Sequence, residues 1–274
     1  MELLLIKQAV LVLATAIAAY TDWKKGYIYD WLTLPLIGTG LLLGIWEQQW
    51  TGIAFGIGVF AVLYAFYWLG KLGGGDVKLF TGIALLLPFY QDQIFLLQAL
   101  FFAALGAIAF YSLYYLYRLK KEKIKIKWKE NQNEIVKGAL FVLLLSVYLY
   151  ALVQVNGVSA MVAGILWIPF LLAGVFVALE KPIKKHFFSK KVKLEKLEAD
   201  EAIAIEFTDP KILEKTGLGL KGIIGEKEKQ KLKELGIKEV IIYANAPRFG
   251  PFIFLGVALA LWFPEIVKLF FLRI

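Results

Sequence analysis

Long apolar stretches, each ended by charged or turn-forming residues, recur along the whole chain. Eight can be delimited, at about 3–20, 31–46, 52–69, 77–90, 93–117, 136–154, 159–179 and 251–271. A helix needs roughly 20 residues to cross a bilayer, within a range near 17–25, so most of these stretches predict membrane-spanning helices. The stretch 77–90 is short. It predicts either a truncated span sheltered by protein or a re-entrant piece, which membranes tolerate where the backbone faces protein or a water-filled cavity. The first stretch is not read as a cleavable signal peptide, because it lacks a basic leading region and a small-residue cleavage site.

Two segments break the apolar pattern. Residues 123–129 alternate Lys with Ile or Trp, and this period of two predicts a half-buried strand. Residues 181–250 hold two strand-like runs, Ala202–Phe207 and Val240–Tyr243, around a polar helix, Glu226–Leu235, closed by Gly236. The expected fold is an α-helical polytopic membrane protein of about six to eight transmembrane helices, with a small cytoplasmic α+β module. Five parts follow: a membrane core at 1–117, a basic cytoplasmic segment at 118–135, membrane helices at 136–179, the module at 180–250 and a last span at 251–274.

Composition narrows the function classes. The chain is 59% hydrophobic and 19% charged, against about 45–50% and 25% for soluble domains. That excludes a soluble enzyme, a disordered chain and a nucleic-acid-binding module. The net charge of +9 lies largely in alternate loops. Lys24 and Lys25 occupy one, Lys71 and Lys78 another, and seven Lys or Arg fill 118–135, whereas the intervening loops offer only Glu47, Asp92 and the uncharged turn 155–158. Basic loops face the cytoplasm, so eight alternating crossings with both termini outside satisfy every loop. Lys268 and Arg273 at the outer end are the exception, and snorkelling accounts for them. With no cysteine the chain has no disulfide, thiolate nucleophile or Cys-ligated zinc, and its single His186 excludes any scheme needing two imidazoles. No metal ligand set and no cofactor are implied.

The candidate chemistry is carboxylate. Asp22 closes the first stretch and Asp76 opens the fourth, after Gly73-Gly74-Gly75. Two crossings lie between them, so both return to one membrane face. Plainer readings stand beside this one. Asp76 suits a helix N-cap, Asp22 a salt bridge to Lys24 or Lys25, and Asp30 an N-cap of the second helix. The glycines permit positive φ and close approach of another chain, or form an ordinary turn. Lys78 either orients Asp76 or is an ordinary cytoplasmic lysine. Gly217–Gly222 spells GxGxxG without a surrounding βαβ pattern. Lys127–Lys129 suits anionic lipid or simple topology.

Two segments resemble a known family. Gly73-Gly74-Gly75-Asp76, followed by Val77-Lys78, matches the GxGD signature of intramembrane-type aspartyl proteases. The run from Asp22 to Pro35 resembles the first-aspartate segment of type IV prepilin peptidases. There the catalytic Asp is followed, six residues on, by an aliphatic residue, then commonly Pro and Asn, then a Leu-Thr-rich helix start. Ile28 and Leu32-Thr33 fit, while Tyr29 and Asp30 stand in the Pro and Asn positions. This register puts Asp22, not Asp30, at the catalytic position. The resemblance covers about residues 1–110, and the large module before a last span is similar to that of archaeal preflagellin (prearchaellin) peptidases. It implies Asp22 and Asp76 as the catalytic pair, Gly73, Gly74, Gly75 and Lys78 as the loop beside the substrate, and archaellin- or pilin-like precursors as partners. Bacterial members usually carry a cysteine-rich zinc segment and an N-methyltransferase activity, and this chain resembles a peptidase only. A rival class is a transporter or ion-relay protein with paired intramembrane carboxylates, which calls for aspartates at the midplane and internal repeats.

Overall fold

Each of the eight apolar stretches contains a helix in the computed structural model, which describes residues 2–70, 72–155, 158–197, 201–218, 222–244 and 247–264. The helices are α1 (Glu2–Lys25), α2 (Asp30–Trp46), α3 (Trp50–Trp68), α4 (Gly74–Leu86), α5 (Phe95–Lys121), α6 (Gln132–Gln154) and α7 (Ala160–Ala178). The short α8 (Glu180–Ile183), α9 (Pro210–Thr216) and α10 (Glu226–Glu234) precede α11 (Gly250–Trp262). Residues 265–271 of the eighth stretch, with Lys268 and Arg273, lie outside the described residues, as does Asn156. Among the described residues, five helices, α1, α3, α5, α6 and α7, are long and apolar enough to cross a membrane. Seven of the eight tryptophans (Trp23, Trp31, Trp46, Trp50, Trp68, Trp128 and Trp262) stand exposed at or beside helix ends, as expected of an interfacial aromatic belt.

The chain divides into two units. One contains α1, the segment from Leu87 to Ile183, and α11. The buried face of α1 runs Lys7, Leu11, Ala14, Thr15, Ala18, Asp22, a stripe at helical spacing that packs on α11. On its other side α11 meets α5 so closely that a Cβ at Gly256 would fall on the Ala99 carbonyl. In lipid, such small-residue contacts take the place of a hydrophobic driving force between helices. α6 and α7 pair in the same manner through Gly138 and Gly174, and the Trp167 indole donates to Ser146 Oγ at 2.9 Å. Between α4 and α5 the hairpin β1 (Phe89–Tyr90) and β2 (Gln93–Ile94) turns through Gln91 and Asp92, both at positive φ, the conformation a two-residue type I′ turn requires.

The second unit holds α2, α3, α4 and residues 184–248. α4 has 13 residues, a rise of about 20 Å against the ~30 Å of a hydrocarbon core. Val77 and every residue from Leu79 to Leu86 are buried, and α2 and α3 cover the helix. The short fourth stretch is thus a helix sheathed by protein. In residues 184–248, β3 (Ser189–Lys193) pairs antiparallel with β6 (Glu239–Tyr243), and β4 (Glu201–Ala202) with β5 (Ile223–Ile224). Val240 and Ile242 of β6 join Leu194, Leu213, Leu218 and Leu232 in the core. α9 is capped by Asp209, whose side chain accepts the Lys211 N–H, and ends on left-handed Gly217.

Two strand expectations are corrected. Residues 124–127 form no strand: α5 closes with the Ile124 N–H on the Leu119 carbonyl, and a 3-10 turn, Trp128–Asn131, follows. Ile124 and Ile126 are half-buried while the lysines are exposed, so the alternation reports facing without a ladder. Ala202–Phe207 is strand only at its start, because Ile205–Phe207 winds into a 3-10 turn. The polar helix and its Gly236 stop match the sequence reading, with Gly236 at positive φ. Gly217 of the GxGxxG run is a helix cap, and Gly219, Leu220 and Lys221 lie outside the described residues.

Candidate functional site

Asp22 is set by the end of α1. Gly26 takes the left-handed conformation and returns its N–H to the Asp22 carbonyl at 2.8 Å, so the sequence Asp-Trp-Lys-Lys-Gly stops the helix four residues after the carboxylate. The Asp22 side chain is buried, 8% exposed, and its Oδ2 accepts the backbone N–H of Gly250 at 2.7 Å. Lys24 reaches back over the Tyr20 ring, 6.0 Å from its centroid. The Gly250 contact was not foreseen from the sequence. The Gly-Pro pair opening an apolar stretch marks a helix start, but nothing local names its partner.

Asp76 stands in the first turn of α4, which begins at Gly74, two residues after the helix's first residue and not at the N-cap. A carboxylate there still faces the positive end of the helix dipole. The three preceding glycines have distinct surroundings, and none has positive φ, so the expectation of positive φ is corrected and close approach remains as their use. A Cβ at Gly75 would come 2.7 Å from the Ile28 carbonyl oxygen and 2.9 Å from the Ile28 Cβ. At Gly73 it would come 2.9 Å from Asp76 Oδ2, and at Gly74 it would meet only the Tyr67 ring at 3.4 Å.

Asp30 differs from its N-cap reading, and Lys78 has a partner that the sequence did not name. Lys78 Nζ donates to Asp30 Oδ1 at 2.6 Å. Asp30 is the first residue of α2, and the N-cap is Tyr29, which gives no side-chain cap. Two contacts therefore bind the starts of α2 and α4: Ile28 under Gly75, and Asp30 on Lys78. His186 is exposed in a short π-helical turn. Among the described residues, no three His, Cys, Asp or Glu side chains are grouped to hold a metal.

Comparison with known proteins follows the same residues. Over 91 residues the chain is 41% identical to prepilin peptidase EppA of Methanothermobacter thermautotrophicus, a stretch covering 30% of this chain and 23% of that protein. This chain thus spans about a quarter of the length of the curated relative it matches. No solved structure matches it. Residues 9–118, which include Asp22, Gly73–Asp76 and Lys78, match the model of the type IV leader peptidase family.

Proposed function

We propose that the protein is a membrane aspartyl endopeptidase that removes the short basic leader of archaellin- or type IV pilin-like precursors. The observation that carries this reading is the family match over residues 9–118, which takes in both candidate aspartates. Asp22 and Asp76 act as the dyad. Two neighbouring carboxylates do not both ionise readily, so one holds a proton. The ionised one takes a proton from water as the water oxygen bonds to the scissile carbonyl carbon, and the other donates its proton to the carbonyl oxygen. Collapse of the tetrahedral intermediate breaks the C–N bond as the amine leaves with a proton, and no covalent enzyme intermediate or cofactor is needed. The dyad titrates as a unit.

The alternating loop charge supports a site on the cytoplasmic face of the cell membrane, where the precursor's basic leader lies and where the strand-bearing segment 184–248 resides. Leader cleavage is the sole activity proposed, without N-methyl transfer. The test is co-incubation of the membrane-embedded protein with an archaellin or pilin-like precursor. Asp22→Asn and Asp76→Asn are each expected to abolish cleavage while the protein stays folded in the membrane. An active Asp22→Asn enzyme would overturn the proposal.

A further inference from the structure

We propose that Gly250, the first residue of α11, is a positioning residue for the Asp22 carboxylate, which makes the C-terminal helix a working part of the site. The inference rests on the reading of Asp22 as catalytic. The first N–H groups of a helix lack intrahelical acceptors, and here each can be accounted for. Pro251 has none, the amides of Phe252 and Ile253 turn back to the Phe249 carbonyl at 3.0 and 3.1 Å, and the Gly250 amide goes to Asp22 Oδ2 at 2.7 Å. The bond is buried and joins residues 228 positions apart.

Glycine is what allows the approach. A Cβ at Gly250 would stand 2.8 Å from the Asp22 Cβ, 2.9 Å from Oδ2 and 3.2 Å from the Ala18 carbonyl oxygen. Asp22 lies in the last turns of α1, where that helix's own dipole disfavours an anion, and the N-terminus of α11 supplies the opposite end of a dipole. The amide has only a proton to give. It therefore holds Oδ2 as an acceptor and fixes the plane of the carboxylate, so the proton that Asp22 takes or gives in the reaction is exchanged at Oδ1. Residues 9–118 match the family, yet the donor lies far outside them.

The experiment replaces Gly250 by glycolic acid in the full-length protein, turning the Phe249–Gly250 amide into an ester. This removes the donor and adds no atom. Asp22→Asn is measured beside it. The ester is expected to lower kcat for precursor cleavage about ten- to a hundredfold, the size of a hydrogen bond to a charged group, with KM unchanged. The pH–rate profile should move to higher pH, because the carboxylate has lost a donor that favours its ionised form. Gly250→Ala should lose at least as much. An ester with wild-type kcat, or one whose kcat falls while its pH profile stays in place, overturns the role of Gly250 and leaves the peptidase reading intact if Asp22→Asn is inactive. Wild-type cleavage by Asp22→Asn overturns both.

Discussion

Alanine at Gly73, Gly74 and Gly75 should separate rate from stability, because three adjacent methyl groups meet three different kinds of neighbour. At Gly75 the new Cβ would be 2.7 Å from the Ile28 carbonyl oxygen and 3.4 Å from its Cα. These are main-chain atoms at the entry to α2, so they cannot rotate away. Overpacking of this kind costs about 1–3 kcal/mol, and it pushes apart two helix starts that the Lys78–Asp30 pair also joins. Gly75→Ala should therefore lose both thermal stability and cleavage. At Gly73 the obstacle is Asp76 Oδ2 at 2.9 Å, the far end of a side chain that turns aside at little cost to the fold. Misplacing a reacting group by about 1 Å is enough to cost roughly a hundredfold in rate, so a smaller shift of the Asp76 carboxylate should cost about tenfold with Tm nearly unchanged. At Gly74 the neighbour is the Tyr67 ring at 3.4 Å, ordinary contact, and Ala is the better helix former by up to about 1 kcal/mol. Gly74→Ala should leave the rate near wild type and hold or raise Tm. The measurements are kcat on a precursor in nanodiscs and thermal unfolding of the same samples. Wild-type cleavage by Gly73→Ala, or unchanged Tm and rate in Gly75→Ala, would refute the steric reasoning.

Asp30→Asn should cleave within about threefold of wild type, because the Lys78–Asp30 pair is part-exposed and such pairs contribute about 0–1 kcal/mol; a dead variant would move the catalytic position away from Asp22. Cleavage should persist in EDTA, and strong inhibition reversed by added zinc would contradict a two-carboxylate mechanism. In intact cells, tags near Lys127 or within 190–235 should be shielded from external reagents and a tag near Gln48 labelled, and labelling at Lys127 would reverse the proposed sidedness.

The eight helices were legible because each carries its signal in its own residues, as apolar length bounded by charge. The candidate aspartates stand out for a similar reason, since an aspartate at a helix end beside glycines is a local pattern. What the sequence hid is what depends on partners. β3 reads as a lysine run, Lys190, Lys191 and Lys193, and is a strand only because β6, some fifty residues on, supplies its ladder. Residues 124–127 show the converse, a strand-like alternation with no ladder formed. Asp30 resembles a cap until Lys78, 48 residues later, takes its carboxylate. The amide of Gly250 is invisible from Asp22 at any window length.

The depth of Asp76 illustrates how such partner contacts set the place of a side chain. A spanning helix has its level fixed by where its apolar stretch meets the interfaces. α4 is too short for that and is surrounded by protein, so its level is set by packing. The contacts that hold it are backbone-close: a Cβ at Gly40 of α2 would lie 2.8 Å from both the Leu85 Cβ and the Leu86 amide nitrogen, and one at Gly82 of α4 would lie 2.7 Å from Leu36. Gly56 of α3 receives the Leu85 side chain in the same way. Lipid tails give apolar helices little reason to associate, and close approach through small residues supplies it. The glycines of α2 and α3 therefore locate α4, and with it the first turn that carries Asp76, in a manner that hydrophobic length alone cannot.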